Sequence, residues 1–367
     1  MDKTYGSIAS PLYLSTTFER DADGAYSRGY EYSRDDNPNR HELERALAQL
    51  EAGEDAATFA SGSAAAMTLF QALRPGDRVV VSDDCYWGVR QMLDRVFVPW
   101  GLHVRYADTS SASALADATE DGTRLIFIET PSNPQLKITD IGEAARIAKA
   151  CGAVLACDNT AATPVLQRPL ELGADIAVHS TTKYISGHHD AMGGALVTRS
   201  GGELWNGIRF AQKTCGCVPS PFACWLTVRA LPSLRSRMLA QSETALKLAE
   251  RLSRNQNVER VLHPWLPSHS GHGVARSQMR GGGALFSILV AGDAERAMRV
   301  AGSTRIFKRA TSFGGPESLI EHRASVEAPG TKTPPNLLRL SIGLEDPQEL
   351  LDDLERALAE GAPKFRR

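Results

Sequence analysis

The chain has no excess of charge of either sign: 41 Lys+Arg stand against 43 Asp+Glu in 367 residues, a formal charge of −2. So balanced a surface offers no footprint for a nucleic-acid backbone or an anionic membrane. Cysteine is scarce. Cys85, Cys151, Cys157, Cys215, Cys217 and Cys224 are too few for a disulfide framework in a chain this long and contain no Cys-x-x-Cys pair, so most read as buried apolar thiols. No apolar run approaches the roughly 18 residues needed to span a bilayer. Met1-Asp2-Lys3-Thr4-Tyr5-Gly6 carries no apolar targeting segment, and the expectation is a cytoplasmic protein. Internal repeats and low-complexity tracts are also missing, which excludes solenoids. What remains is ordinary for a globular chain: 42% hydrophobic and 23% charged residues, enough for two domains at roughly 100–200 residues each.

From about residue 40 to 200, short apolar, β-branched runs alternate with helical patterns. Ala57-Thr58-Phe59, Arg78–Val81, Leu102–Tyr106, Leu125–Ile128, Ala153–Ala156 and Ile176–Val178 read as strands, and Ile141–Ala150 shows helical spacing. That rhythm predicts an α/β fold with a mostly parallel sheet flanked by helices. Texture changes between Pro219 and Pro232. A long helical stretch from about Ser233 to Arg254 then leads to fewer strands, Ala284–Leu289 and Leu337–Leu340, which predict a smaller α+β domain. The aromatics of the first segment (Tyr5, Tyr13, Phe18, Tyr26, Tyr30, Tyr32) have no periodicity, as in an arm docked on something else. The expected division is an arm over 1–38, a large domain over 39–232 and a C-terminal domain over 233–367.

In open parallel sheets ligands bind outside the carboxyl ends of the strands. Asp158 follows the apolar run Ala153–Ala156, and Lys183 lies just past the next strand in His179-Ser180-Thr181-Thr182-Lys183. An Asp and a Lys at one sheet edge suit pyridoxal phosphate: the lysine forms the Schiff base, and the carboxylate keeps the pyridine nitrogen protonated. An arbitrary Asp/Lys pair is more often a structural ion pair. The context adds phosphate donors. Ala60-Ser61-Gly62-Ser63 follows a strand and opens an alanine-rich helix, which offers backbone N–H groups to an anion. Ser180 and Thr182 add hydroxyls.

Tyr32-Ser33-Arg34 with Asn37-Pro38, Glu129–Pro134, Asp158-Asn159-Thr160, and His179–Tyr184 with Gly187-His188 resemble the Cys/Met-metabolism pyridoxal-phosphate enzymes. Ser220-Pro221-Phe222, Gly314–Ile320 and Arg339–Gly343 extend the resemblance over nearly the whole chain. That family contains cystathionine γ-synthase, cystathionine γ- and β-lyase and methionine γ-lyase. The resemblance implies the fold-type I transferase architecture and pyridoxal 5′-phosphate as cofactor. It implies Lys183 as the Schiff-base lysine, Asp158 at the pyridine nitrogen and Tyr86 stacked on the ring. Gly62 and Ser63 give backbone donors and Ser180 and Thr182 side-chain donors to the phosphate, with Thr160 near the ring. Tyr32 and Arg34 reach a neighbouring subunit's phosphate, so sites are shared within a dimer, and the expected assembly is a homotetramer built from such dimers or the dimer itself. Asn133, Ser312 through its backbone, and Arg339 as a bidentate fork hold the substrate α-carboxylate.

The implied activity is γ-elimination or γ-replacement at a C–S bond of a cystathionine-like amino acid. A β-lyase and a non-catalytic scaffold are the alternatives. Glu317 is expected to meet a distal ammonium or else to cap a helix beginning near Ser318, whereas Arg90 could receive a distal carboxylate. The chain departs from the family at Ser63 (usually Met), at Ala161 (usually aromatic) and at Trp87-Gly88-Val89 (usually Gly-Gly-Thr), and its arm is expected to be shorter than the family's. Gly88 stands where methionine γ-lyases carry cysteine, so methionine is expected to be a poor substrate. His263, His269 and His272 lack orienting carboxylates, and no metal is expected. Cys215 and Cys217 read as inert thiols, and His188 and His189 as structural.

Overall fold

A computed structural model describes residues 6–327 and 331–360, so Tyr5 and the stretch before it lie outside the described residues. The larger sheet contains β1 (Asp55–Phe59), β2 (Arg78–Ser82), β3 (His103–Ala107), β4 (Thr123–Glu129), β5 (Val154–Asp158), β6 (Ile176–His179) and β7 (Gly194–Thr198). Their order is β1-β7-β6-β5-β4-β2-β3, parallel from β3 through β6, with β7 antiparallel to both β6 and β1. The mostly parallel sheet is as expected, but no expected run announces β7. Its opening glycine has a steric reason: a Cβ on Gly194 would lie 2.2 Å from the Ser61 carbonyl oxygen.

β4 shows why this sheet is sandwiched. Leu125 and Phe127 enter one core with Phe59, Leu69 and Val81, while Ile126 and Ile128 enter another with Leu115, Ile141 and Leu155. Alternate side chains point to opposite faces, so a run apolar at every position needs cover on both. The helix Ile141–Cys151 supplies part of that cover. Asp140 caps it by accepting the Glu143 N–H at 2.9 Å, and Gly152 ends it in the left-handed region at φ 73°.

The second sheet runs β10-β11-β12-β9-β8, made of β8 (Val258–Leu262), β9 (Leu285–Val290), β10 (Lys308–Arg309), β11 (Leu319–His322) and β12 (Leu337–Ser341). The helix expected near Ser318 is strand β11 instead. One helix, Pro221–Leu252, connects the two sheets across 32 residues. The boundary expected at 232 falls inside it, because Pro232 interrupts the helical hydrogen bonding without interrupting the buried stripe. Cys224 packs beside Leu43 and Leu47, Leu234 and Met238 pack in the middle, and Leu248 and Leu252 enter the core of the small sheet. The arm is pinned to the large domain: Trp225 Nε1 donates to the Ser10 carbonyl at 2.7 Å and Asn39 Nδ2 to that of Pro11 at 2.8 Å.

Candidate active site

The carboxyl ends of β4, β5 and β6, the start of the helix Gly62–Gln71 and the face of β12 meet around a cavity of about 210 Å³. Gly62, Ser63, Ser180 and Thr182 line one end of it. Ser61 caps the helix, its Oγ accepting the Ala64 N–H at 3.0 Å and its carbonyl the Ala65 N–H at 3.1 Å. Among the described residues the Gly62 and Ser63 N–H groups at the start of the helix have no partner and can face an anion. Gly62 allows the close approach: a Cβ there would stand 2.7 Å from Ser180 Cβ. Thr160 Oγ1 accepts the Ser180 N–H at 2.8 Å and ties the two strand ends together.

Asp158 and Glu129 form the floor. They are register partners on β5 and β4, so their side chains leave the same face. Asp158 accepts the Thr160 N–H at 2.9 Å. Burial pushes its carboxyl up, while Thr160 and the nearby His179 pull it back down. Glu129, without a role in the sequence reading, is pushed well above the carboxylate range by burial and then by Asp158.

Lys183 stands between this floor and an arginine wall. Its Nζ donates to Ser312 Oγ at 2.9 Å and lies 5.0 Å from the Phe313 ring centroid. Burial, then the charge of Arg339, lower its pKa from 10.5 to about 8. A lysine shifted this way offers a neutral amine far more readily than an exposed one. Ser312 holds the left-handed conformation at φ 99°, which leaves its carbonyl to accept from Arg339 Nη2 at 2.9 Å. Arg339 Nη1 donates to Asn133 Oδ1 at 3.1 Å, and Nη2 also pairs with Glu321. Burial lowers the Arg339 pKa from 12.5 to about 10. Glu321, Arg323 and Phe313 were not singled out in the sequence. Glu321 faces Arg339 across the β11/β12 ladder, a register that two separated segments do not display.

The rim differs from the interior. Tyr86 lines the cavity and is 43% exposed, and Gly88 makes room for its ring: a Cβ there would be 2.5 Å from Tyr86 Cε1. Tyr32 and Arg34 lie outside the lining. Arg34 donates to the Lys213 carbonyl at 2.5 Å and sits over the Tyr32 ring at 5.7 Å. Glu317 is also outside, its carboxylate 3.6 Å from His189 Nε2. Arg90 does not line this cavity; it stacks on Tyr106 at 4.0 Å and donates to the Asp83 carbonyl at 3.3 Å. His263, His269 and His272 each use Nδ1 in a local loop hydrogen bond, and burial lowers His263 to about 4.

A free helix N-terminus with neighbouring hydroxyls, a carboxyl floor, a lysine of lowered pKa and a flanking tyrosine make a donor set that fits pyridoxal phosphate. A family profile described as "Cys/Met metabolism PLP-dependent enzyme" matches residues 1–359. The chain belongs to this family. It is therefore a pyridoxal-phosphate-dependent enzyme of the fold-type I class. Its similarity to individual members runs end to end. It is 44% identical to a cystathionine gamma-synthase of Mycobacterium tuberculosis, over 97% of this chain and 93% of that one. Identity to a cystathionine beta-lyase of Coxiella burnetii is 38%, over 97% and 94%. The crystal structure of metB from Corynebacterium glutamicum superimposes with a TM-score of 0.95 at 43% identity, covering 98% of this chain and 94% of that one. Among the described residues no helix is long and apolar enough to cross a membrane.

Proposed function

We propose that this enzyme makes or breaks the C–S bond of cystathionine-like amino acids by γ-replacement or γ-elimination. The observation that carries this reading is the position of Lys183, between a carboxyl floor and an arginine wall with Arg339 aimed into the same cavity. When bound, pyridoxal phosphate supplies an electron sink for charge developing on the substrate. Lys183 would hold the cofactor and, as a free amine, take up and return substrate protons at Nζ. Asp158 would keep a proton on the pyridine nitrogen, and Tyr86 would lie against the ring. The backbone N–H groups of Gly62 and Ser63 and the hydroxyls of Ser180 and Thr182 would hold the phosphate, and Thr160 would help to hold the ring. Arg339, Asn133 and Ser312 orient the α-carboxylate, which aligns the reacting bond. The similarity to a cystathionine gamma-synthase favours γ-chemistry. The beta-lyase relative supports β-elimination as the second reading, since both begin with the same residues.

The working unit is proposed to be a homotetramer of dimers in which Tyr32 and Arg34 complete a neighbour's phosphate site. In support, both lie outside their own cavity, and Ile8, Leu14, Phe210 and Phe222 are exposed on the arm and the large domain, surface of the kind that a second copy covers. Incubation with cystathionine, and separately with acylated homoserine plus cysteine, followed by product analysis, tests the reaction. Formation or cleavage of cystathionine is expected, and no product from either mixture defeats the proposal. Mixing inactive Arg34→Ala with inactive Lys183→Ala subunits is expected to restore activity, because a mixed dimer holds one intact site. No recovery despite demonstrated subunit exchange rules out the shared site.

A further inference from the structure

Glu129 is a buried titratable group that the mechanism above leaves unused. It ends β4 beside Asp158, borders the cavity and is 7% exposed. Among the described residues no salt bridge reaches it. Its Oε2 accepts the Tyr86 N–H at 2.6 Å, and the nearby Asn133 N–H also favours its charged form. One carboxyl therefore ties the loop that carries the ring-covering tyrosine to the loop that carries a partner of Arg339.

The charges around Glu129 are unfavourable to a second anion. Asp158 stands beside it on β5, and Asp84 acts on it from the loop after β2. Cys85 and Cys157, on the same two elements, are buried thiols held well above their usual range. Lys183, Arg323 and Arg339 border the cavity without pairing with it. Two adjacent buried carboxyls do not both ionise readily; one keeps a proton. The choice between them follows from their partners. Asp158 has Thr160 and the influence of His179 to stabilise its charge, whereas Glu129, although its N–H neighbours favour its charge, faces both Asp158 and Asp84.

We propose that Glu129 is a positioning residue that works as a neutral carboxylic acid, holding Tyr86 and Asn133 in register while Asp158 alone carries the charge of the floor. The proposal rests on the cofactor reading of the cavity, and it divides labour between the two carboxyls. Asp158 handles the pyridine nitrogen. Glu129 holds its proton and links the cofactor side of the site to the substrate-carboxylate side.

The test compares the holoenzyme with Glu129→Ala and Glu129→Gln, since glutamine copies the shape and neutrality of the protonated acid. In the alanine variant kcat/KM is expected to fall by on the order of tenfold, as for a lost buried hydrogen bond, and the visible band of the cofactor to shift as Tyr86 loosens. Glutamine is expected to recover most of both. The infrared C=O band of a neutral carboxylic acid is expected in the wild-type holoenzyme and missing from both variants. Glutamine as damaging as alanine, or a neutral-acid band that survives in Glu129→Gln, overturns the proposal. So does an alanine variant with unchanged band and rate. Should the alanine variant not fold, the infrared comparison of wild type with Glu129→Gln still decides. A wild-type protein that takes up no cofactor and shows no visible band defeats the cofactor reading instead.

Discussion

The floor of the cavity and the wall opposite both bury charged side chains, and they handle the charge in opposite ways. On the floor, Glu129 and Asp158 sit side by side with no salt bridge to either among the described residues, and both are pushed up toward the neutral form. On the wall, Arg339, Glu321, Arg323 and Glu327 alternate in sign. Glu321 Oε2 lies 3.1 Å from Arg323 Nη1 and also pairs with Arg339, while Arg323 Nη2 meets Glu327 at 2.9 Å. The floor limits desolvated charge by keeping a proton on one of its two carboxyls, and the wall compensates desolvated charge with partners. A cofactor and its substrate ask for that difference. In the proposed function the floor would hold a proton at a ring nitrogen, whereas the wall would present a fixed cation to a carboxylate.

The largest expected effect comes from the group between the two. Lys183→Ala removes the Schiff-base amine and the proton carrier together, so turnover is expected to fall by on the order of 10⁴-fold or more. The fold should persist, because among the described residues the side chain's one hydrogen bond is to Ser312 Oγ. Steady-state rates and a circular dichroism spectrum check both halves. Wild-type-like turnover in this variant ends the mechanism.

Opposite signs are expected when one charge is removed from each side. Glu321→Gln leaves the Arg339 and Arg323 guanidinia together without their shared anion, and breaking a buried pair in this way costs about 3–5 kcal/mol. Asp158→Asn removes the one buried, unpaired charge of the floor, whose desolvation is unfavourable, so the cofactor-free protein is expected to keep or gain stability while it loses cofactor affinity. Denaturant midpoints of the two variants decide. A destabilised Asp158→Asn, or a neutral Glu321→Gln, removes the contrast between floor and wall.

The lysine also makes stability depend on pH. Its folded pKa of about 8 lies below the 10.5 of an ordinary lysine. The unfolded chain therefore holds the proton over the interval between them, and the stability of the cofactor-free protein rises with pH through that window. Below about 8 the full penalty for charging the buried amine is present. A shift of this size corresponds to roughly 3 kcal/mol at most, and less once the group's partial contact with solvent is allowed for. Lys183→Met is expected to be more stable than wild type at neutral pH and to flatten the rise above pH 8. An unchanged slope is the contrary result.

Floor and wall also differ in how far the sequence reveals them. The floor is local: an unbroken apolar run ending in Asp158, and a lysine just past the next strand, can be read in order along the chain, as can the Ser61–Ser63 turn before a helix. The wall depends on pairing. Glu321 meets Arg339 only because β11 lies antiparallel to β12 in one register, and nothing local to either segment states that register. The surroundings of Arg90 are illegible for a related reason, since its cation is held over Tyr106, a contact between the helix Trp87–Met92 and β3. Glu129 was visible at the end of an apolar strand, but its significance needs the neighbouring strand beside it.

The smallest effect is expected outside both regions, at Glu317. The sequence places a carboxylate there, near the far end of a substrate, where it could pair with a distal ammonium. In the structure its side chain is 59% exposed, is absent from the cavity lining and faces His189 at 3.6 Å. Ion pairs with this much solvent contact contribute about 0–1 kcal/mol, against roughly 1–3 kcal/mol for a desolvated charged hydrogen bond to substrate. Glu317→Ala is accordingly expected to change the ratio of kcat/KM for cystathionine to that for methionine by less than about fivefold, the factor set by the upper end of the exposed range. That result keeps substrate-charge recognition with the buried wall. A loss of tenfold or more in the ratio, with methionine turnover unchanged, assigns Glu317 to the distal ammonium and extends the paired wall out to the rim.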